Sequence, residues 1–244
     1  MYSDDFFDRI DAEIIRRNRI RKICNIFICM IVCVMGMAAL IIKGKQYLDS
    51  SDPLYQMFGA FTANGTSFTV IVSFLLILIN SYEIGHRTEV TKNWLYYLRL
   101  SSTASETIIM FTVMMTLLPF VPDAPSYDTI DARLTHIYAP LLTILSFLFN
   151  DPPIGRLKPR QVIRGMVQLF LYAVIMLTLF ISGLVPWEDA EYEFLHNGPN
   201  LFMLIAISAI FVGGFFLTWL ISRLNRKGYV LLYRGVCSAA KIEK

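Results

Sequence analysis

The sequence predicts an all-α polytopic membrane protein, a six-transmembrane-helix bundle with both its N and C termini in the cytoplasm. Four observations carry that prediction. Of the 244 residues 55% are hydrophobic and 17% charged, with a mean hydropathy of +0.53, which is too apolar for a soluble chain of this length. The apolar residues are grouped into six runs, and crossing about 30 Å of hydrocarbon takes roughly 17–25 residues. No ten-residue segments alternate at period two, which argues against a β-barrel. All but three of the 22 Lys and Arg residues fall before the first run, between runs two and three, between four and five, or after the sixth. Only Lys43, Lys45 and Arg133 lie on the other side, and cytoplasmic loops carry the Lys/Arg excess. The net charge of +3 is thus a topology signal, and no nucleic-acid partner is expected.

Residues 1–22 form a cytoplasmic segment in which an acidic-aromatic patch (Asp4, Asp5, Phe6, Phe7, Asp8) gives way to a basic stretch. Interleaved Ile10, Ile14 and Ile15 predict an amphipathic interfacial helix. Residues 23–222 are the six-helix domain, and 223–244 a basic cytoplasmic tail. The first run, Ile23–Ile42, reads as a retained signal-anchor, since its apolar part is too long for a cleaved leader. Its Cys24, Cys29 and Cys33, with Cys237 in the tail, imply no disulfide framework.

The second run, Phe58–Ile79, is the most polar. Thr62, Thr66, Thr69, Ser73 and Asn80 fall on one helical face, expected to turn inward, and Asn64-Gly65 permits a local break. Glu83, His86 and Arg87 are expected in a cytoplasmic loop, and Trp94, Tyr96 and Tyr97 in an interfacial belt. The third run, Thr103–Val121, has Glu106 near its cytoplasmic end, placed to snorkel or to pair with Arg99. The fourth, Leu134–Phe149, puts His136, Pro140, Thr143, Phe147 and Asn150 on one face and stops at Asp151-Pro152-Pro153. The fifth is Val167–Val185. The sixth, Leu201–Ser222, carries Ala209-xxx-Gly213 as a small-residue packing face. The acidic outer loops, including Glu188, Asp189, Glu191, Glu193 and His196, lack metal-ligand spacing and read as solvated charge.

There is no P-loop, dinucleotide fingerprint, His-Glu-x-x-His or Gly-x-Ser-x-Gly. What remains is a pairing that follows from topology. Runs two and four both enter from the outer side, so Thr62 and His136 lie at similar depth on inward faces. A hydroxyl needs a base to take its proton, and histidine suits that work at neutral pH. Backbone freed at Pro140, or at Asn64-Gly65, is the expected source of oxyanion donors.

Phe61-Thr62-Ala63-Asn64, His136-Ile-Tyr-Ala-Pro140, and Tyr192-Glu-Phe194-Leu195 with Gly198-Pro199 occur in that order across the runs. In this the chain resembles the androgen-induced and androgen-dependent six-helix membrane proteins and their bacterial relatives, over about residues 55–220. The resemblance implies a membrane threonine hydrolase acting on fatty-acid esters, with Thr62 and His136 at the matching positions. The expectation is an intramembrane hydrolase of lipid or fatty-acid esters that needs no metal or organic cofactor. Its partners would be the lipid bilayer and a lipid-ester substrate, and the compact loops fit a bacterial cytoplasmic membrane. The competing class is a non-enzymatic integral membrane protein: a lipid-binding, transport or envelope-complex component.

Overall fold

The computed structural model describes residues 4–50, 57–58, 60–88, 90, 93–114, 129–187 and 198–232, with side chains from Ile15 onward. They fold into helices alone: α1 (Asp4–Asp49), α2 (Phe61–His86), α3 (Asn93–Thr112), α4 (Ile130–Asn150), α5 (Pro159–Arg164), α6 (Val167–Ile181) and α7 (Leu201–Leu232). Within α1 the stretch Ile15–Asp49 is long and apolar enough to cross a membrane, as are α2, α4 and Leu201–Leu231 of α7. These four support an integral membrane protein. The other two expected spans fall short for different reasons. α6 has the hydropathy but only 15 residues. α3 has 20 residues but turns a polar face inward, with Arg99, Ser101, Ser102, Thr103, Ser105 and Glu106 all buried. The last part of the third run (115–121), most of the acidic outer loops, His196, the Tyr192–Leu195 motif and Cys237 lie outside the described residues.

α3 is the central post, touching α2, α4, α6 and α7, while α1 lies along α2 and α4. The distribution of side chains inverts that of a soluble protein. Large apolar groups face outward, with Ile181 74% and Leu201 72% exposed, whereas Ser73, Ser102, Glu106 and Thr143 are wholly buried. In hydrocarbon an outward hydroxyl has no partner, so polar side chains turn to the interior and bond across helices.

The strongest interior bonds sit at the end of the bundle where Lys and Arg cluster. Arg99 Nε donates to Asp151 Oδ2 at 3.0 Å. Asn25 Nδ2 donates to Asp151 Oδ1 (3.2 Å) and Ser146 Oγ to Asn25 Oδ1 (3.0 Å). Asn225 Nδ2 reaches the carbonyls of Phe147 (2.6 Å) and Asp151 (2.8 Å), and its own Oδ1 accepts from Tyr96 OH at 3.2 Å. One network therefore joins α1, α3, α4 and α7. A second ion pair, Lys22 Nζ to Glu83 at 2.9 Å, joins α1 to α2.

Several local expectations change. Arg99 pairs with Asp151, not Glu106, and Glu106 is wholly buried instead of snorkelling. Glu83 belongs to α2 and is buried, because α2 continues to His86. α1 runs unbroken from Asp4, so the N-terminal segment and the first span form one continuous helix. α2 has no break at Asn64-Gly65. Gly65 gives room to Ile109, whose Cδ1 would lie 2.7 Å from an added Cβ. On α7 the packing glycine is Gly214, against Leu169, whereas Gly213 faces open space. The tail is helical to Leu232 and packed at Asn225 and Gly228.

Unfolding of three variants in detergent checks this architecture. Asp151→Ala leaves Arg99 buried without its counter-charge and lowers stability by about 3–5 kcal/mol. A Cβ at Gly228 would stand 2.8 Å from the Leu148 carbonyl oxygen, so Gly228→Ala costs about 1–3 kcal/mol by overpacking. Gly213→Ala meets nothing within 4 Å and gains about 0.5–1 kcal/mol of helix propensity.

Candidate functional site

Two local features set the two halves of the site. The first is the start of α2. The Asn64 side-chain amide donates to the Phe58 carbonyl and, at 3.4 Å, to that of Ala60. The Phe61 ring meets Tyr172 of α6 edge-on, with centroids 4.9 Å apart. Between these anchors Thr62 is the second helical residue, half-buried. The main-chain ladder begins with the Asn64 N–H donating to the Ala60 carbonyl. The amides of Thr62 and Ala63 therefore belong to the first turn, which has no helical carbonyl to bond.

The second feature is a wide turn in α4. Pro140 has no N–H, and in a regular helix its ring would press on the carbonyl of the residue four back, His136. The helix avoids this by opening a π turn over Leu134–Tyr138, in which the Ala139 N–H reaches five residues back to the Leu134 carbonyl. Such single wide turns occur often at functional sites. The inward line of α4 then runs through Ala132, Thr135, Ala139, Thr143 and Ser146, all buried, with His136 half-buried at its flank.

Thr62 and His136 are brought together: Thr62 Oγ1 lies 3.3 Å from His136 Nε2. The other ring nitrogen fixes which partner donates. His136 Nδ1 is 2.9 Å from the Ala132 carbonyl oxygen, a pure acceptor, so Nδ1 carries the ring proton. The Thr135 hydroxyl, which donates to the Asp131 carbonyl at 2.9 Å, flanks Nδ1 at 3.4 Å. In the neutral ring Nε2 is then a bare lone pair facing a hydroxyl. The contact is slightly longer than the 2.6–3.2 Å of a working base, and such contacts tighten when substrate binds. In these contacts the ring is oriented by a main-chain carbonyl and not a carboxylate. That holds the tautomer but stabilises an imidazolium less.

Below the pair the α2 stripe divides. Ser102 Oγ donates to Thr69 Oγ1 at 3.0 Å, joining helices. Thr66 and Ser73 hydroxyls and Thr143 of α4 are buried with no hydrogen-bond partner, and the Glu106 carboxyl lies beside Thr69 with neither oxygen in a well-formed bond. Among the described residues no group of three or more His, Cys, Asp or Glu could hold a metal ion. A cavity of about 190 Å³ lies at the other end of the bundle, lined by Glu83, Arg99 and Asp151 and not by Thr62 or His136. The sequence marked the threonine, the histidine and the proline. It did not mark the Ala132 carbonyl, which no side-chain pattern can signal. No family model matches the chain, and no curated protein or solved structure matches it.

The tautomer is measurable. In nitrogen-15 spectra of the histidine-labelled protein above the titration of the ring, His136 should show a protonated Nδ1 and a bare Nε2. The opposite tautomer would leave Thr62 facing an N–H and remove its base.

Proposed function

We propose that the protein is an intramembrane hydrolase of lipid or fatty-acid esters, with Thr62 as nucleophile and His136 as base. The observation that carries this reading is the 3.3 Å contact between Thr62 Oγ1 and His136 Nε2, with the other ring nitrogen held by a carbonyl. A hydroxyl facing a bare imidazole nitrogen is the minimal arrangement for acyl transfer.

The chemistry closes with these groups alone. Thr62 Oγ attacks the ester carbonyl carbon while its proton passes to Nε2, giving a tetrahedral oxyanion and an imidazolium. The oxyanion is met by the first-turn amides of α2 at Thr62 and Ala63, where the positive end of the helix dipole adds to them. As the carbonyl reforms, the bond to the alcohol oxygen breaks and Nε2 returns the proton to that oxygen, leaving an acyl-threonine ester. Water attacks this ester with Nε2 again as base. The carboxylic acid departs and the Thr62 hydroxyl is restored.

The full topology of this reading is six spans with cytoplasmic termini in a bacterial cytoplasmic membrane. The Lys/Arg distribution supports it. So does α3, whose polar face is covered by its neighbours and therefore needs no lipid-compatible hydropathy. The substrate ester would enter sideways from the bilayer.

The test is fluorophosphonate labelling of the detergent-purified chain. Wild type should label, Thr62→Ala should not, and His136→Ala should label about 10²–10⁴-fold more slowly. A folded wild type that takes no label sinks the hydrolase and leaves the lipid-binding or transport class.

A further inference from the structure

The cavity at the basic end of the bundle is built from residues that the hydrolase does not use. Its charged lining is Arg21, Lys22 and Arg99 against Glu83 and Asp151, with Tyr96 on the wall. Both acids are already engaged, Glu83 by Lys22 at 2.9 Å and Asp151 by Arg99 at 3.0 Å. Arg21 directs its donors to neutral oxygens: Nη1 to the Asn150 carbonyl at 2.7 Å, and Nε and Nη2 to Asn18 Oδ1. The cavity thus carries one cation more than its acids balance.

Arg99 supplies the second, independent sign of a ligand. It is 1% exposed, only its Nε is used, and Nη1 and Nη2 have no hydrogen-bond partner. A buried guanidinium with two idle η nitrogens is costly. Its planar fork matches two oxygens of a carboxylate or phosphate. The cavity's volume, about 190 Å³, is about ten times or more the roughly 10–15 Å³ that one water needs. It also lies where the Lys/Arg distribution puts the cytoplasmic leaflet, and basic pockets between helices on that side take anionic lipid head groups.

We infer that this cavity is an anion site that takes a phosphate group through Arg99 and Arg21, presented by an anionic lipid head group or as free phosphate. Asp151 acts as a positioning residue: it holds Nε and so turns the two η nitrogens to the ligand. Lys22, neutralised by Glu83, adds little binding and mainly closes the wall.

The test is thermal unfolding of the full chain in two settings. Nanodiscs of phosphatidylglycerol are compared with phosphatidylcholine, and inorganic phosphate in neutral detergent with chloride at matched ionic strength. Phosphatidylglycerol should raise Tm by about 3–5 °C, the linkage expected for a ligand tenfold above its Kd. Arg21→Gln, which is half-buried and outside the central network, should lose most of that rise, and so should Arg99→Lys. Arg156→Gln, at an exposed position outside the cavity lining, should keep it. An equal rise with inorganic phosphate assigns the site to the free anion; a rise only in nanodiscs assigns it to the head group. No rise with either probe overturns the site. A rise that survives intact in Arg21→Gln also overturns it, since surface charge alone would then account for the effect.

Discussion

Arg99 and Asp151 meet almost wholly shielded from solvent, with side chains 1% and 9% exposed, and the order of the bundle follows from satisfying them. Each ion taken from water costs several kcal/mol, which their attraction offsets only when the remaining lone pairs and protons are also bonded. The remaining Asp151 oxygen is met by Asn25 from α1, and its carbonyl by Asn225 from α7. Ser146 and Tyr96 then fix the two asparagines. Four helices are thereby set in register by groups that have no alternative partners. The apolar surfaces cannot do this, because lipid is as good a neighbour for them as another helix.

At the opposite end a proline plays the corresponding part. Pro140 cannot bond its preceding turn, and the wide turn that results both seats His136 beside Thr62 and leaves the Ala132 carbonyl pointing at Nδ1. Strain removed from the helix reappears as orientation of the imidazole. The two ends differ: one is tightly bonded and holds the scaffold, the other is held by fewer bonds and is half-buried.

How much of this was legible in the sequence can be judged residue by residue. Long apolar runs and the Lys/Arg asymmetry carry the all-α membrane class, because hydropathy is a sum over many residues. The α2 stripe was legible because helical spacing places Thr66, Thr69 and Ser73 together whatever they touch. The partners were not. Arg99 has an acid seven residues away on its own helix, Glu106, and another 52 residues away, Asp151; only packing decides between them. Glu83 read as a loop residue because the apolar run stops at Ile79, yet α2 continues about two turns further, to His86, with Glu83 in a buried ion pair with Lys22. Gly213 and Gly214 are indistinguishable by composition, and a rotation of about 100° per residue separates the packed one from the open one.

The unbroken α1 has an electrostatic consequence. At about 1.5 Å per residue, Arg16 stands only some 9 Å along the axis from Lys22, while Asp4, Asp5 and Asp8 stand roughly 21–27 Å away. At physiological ionic strength fields fade over about 8 Å. The basic residues from Arg16 to Lys22 therefore stand within about one screening length of the start of the apolar run, whereas Asp4, Asp5 and Asp8 lie roughly two and a half to three and a half lengths away. A segment whose charges partly cancel in a count is, as one unbroken helix, graded along its length: basic next to the apolar run and acidic over its far turns.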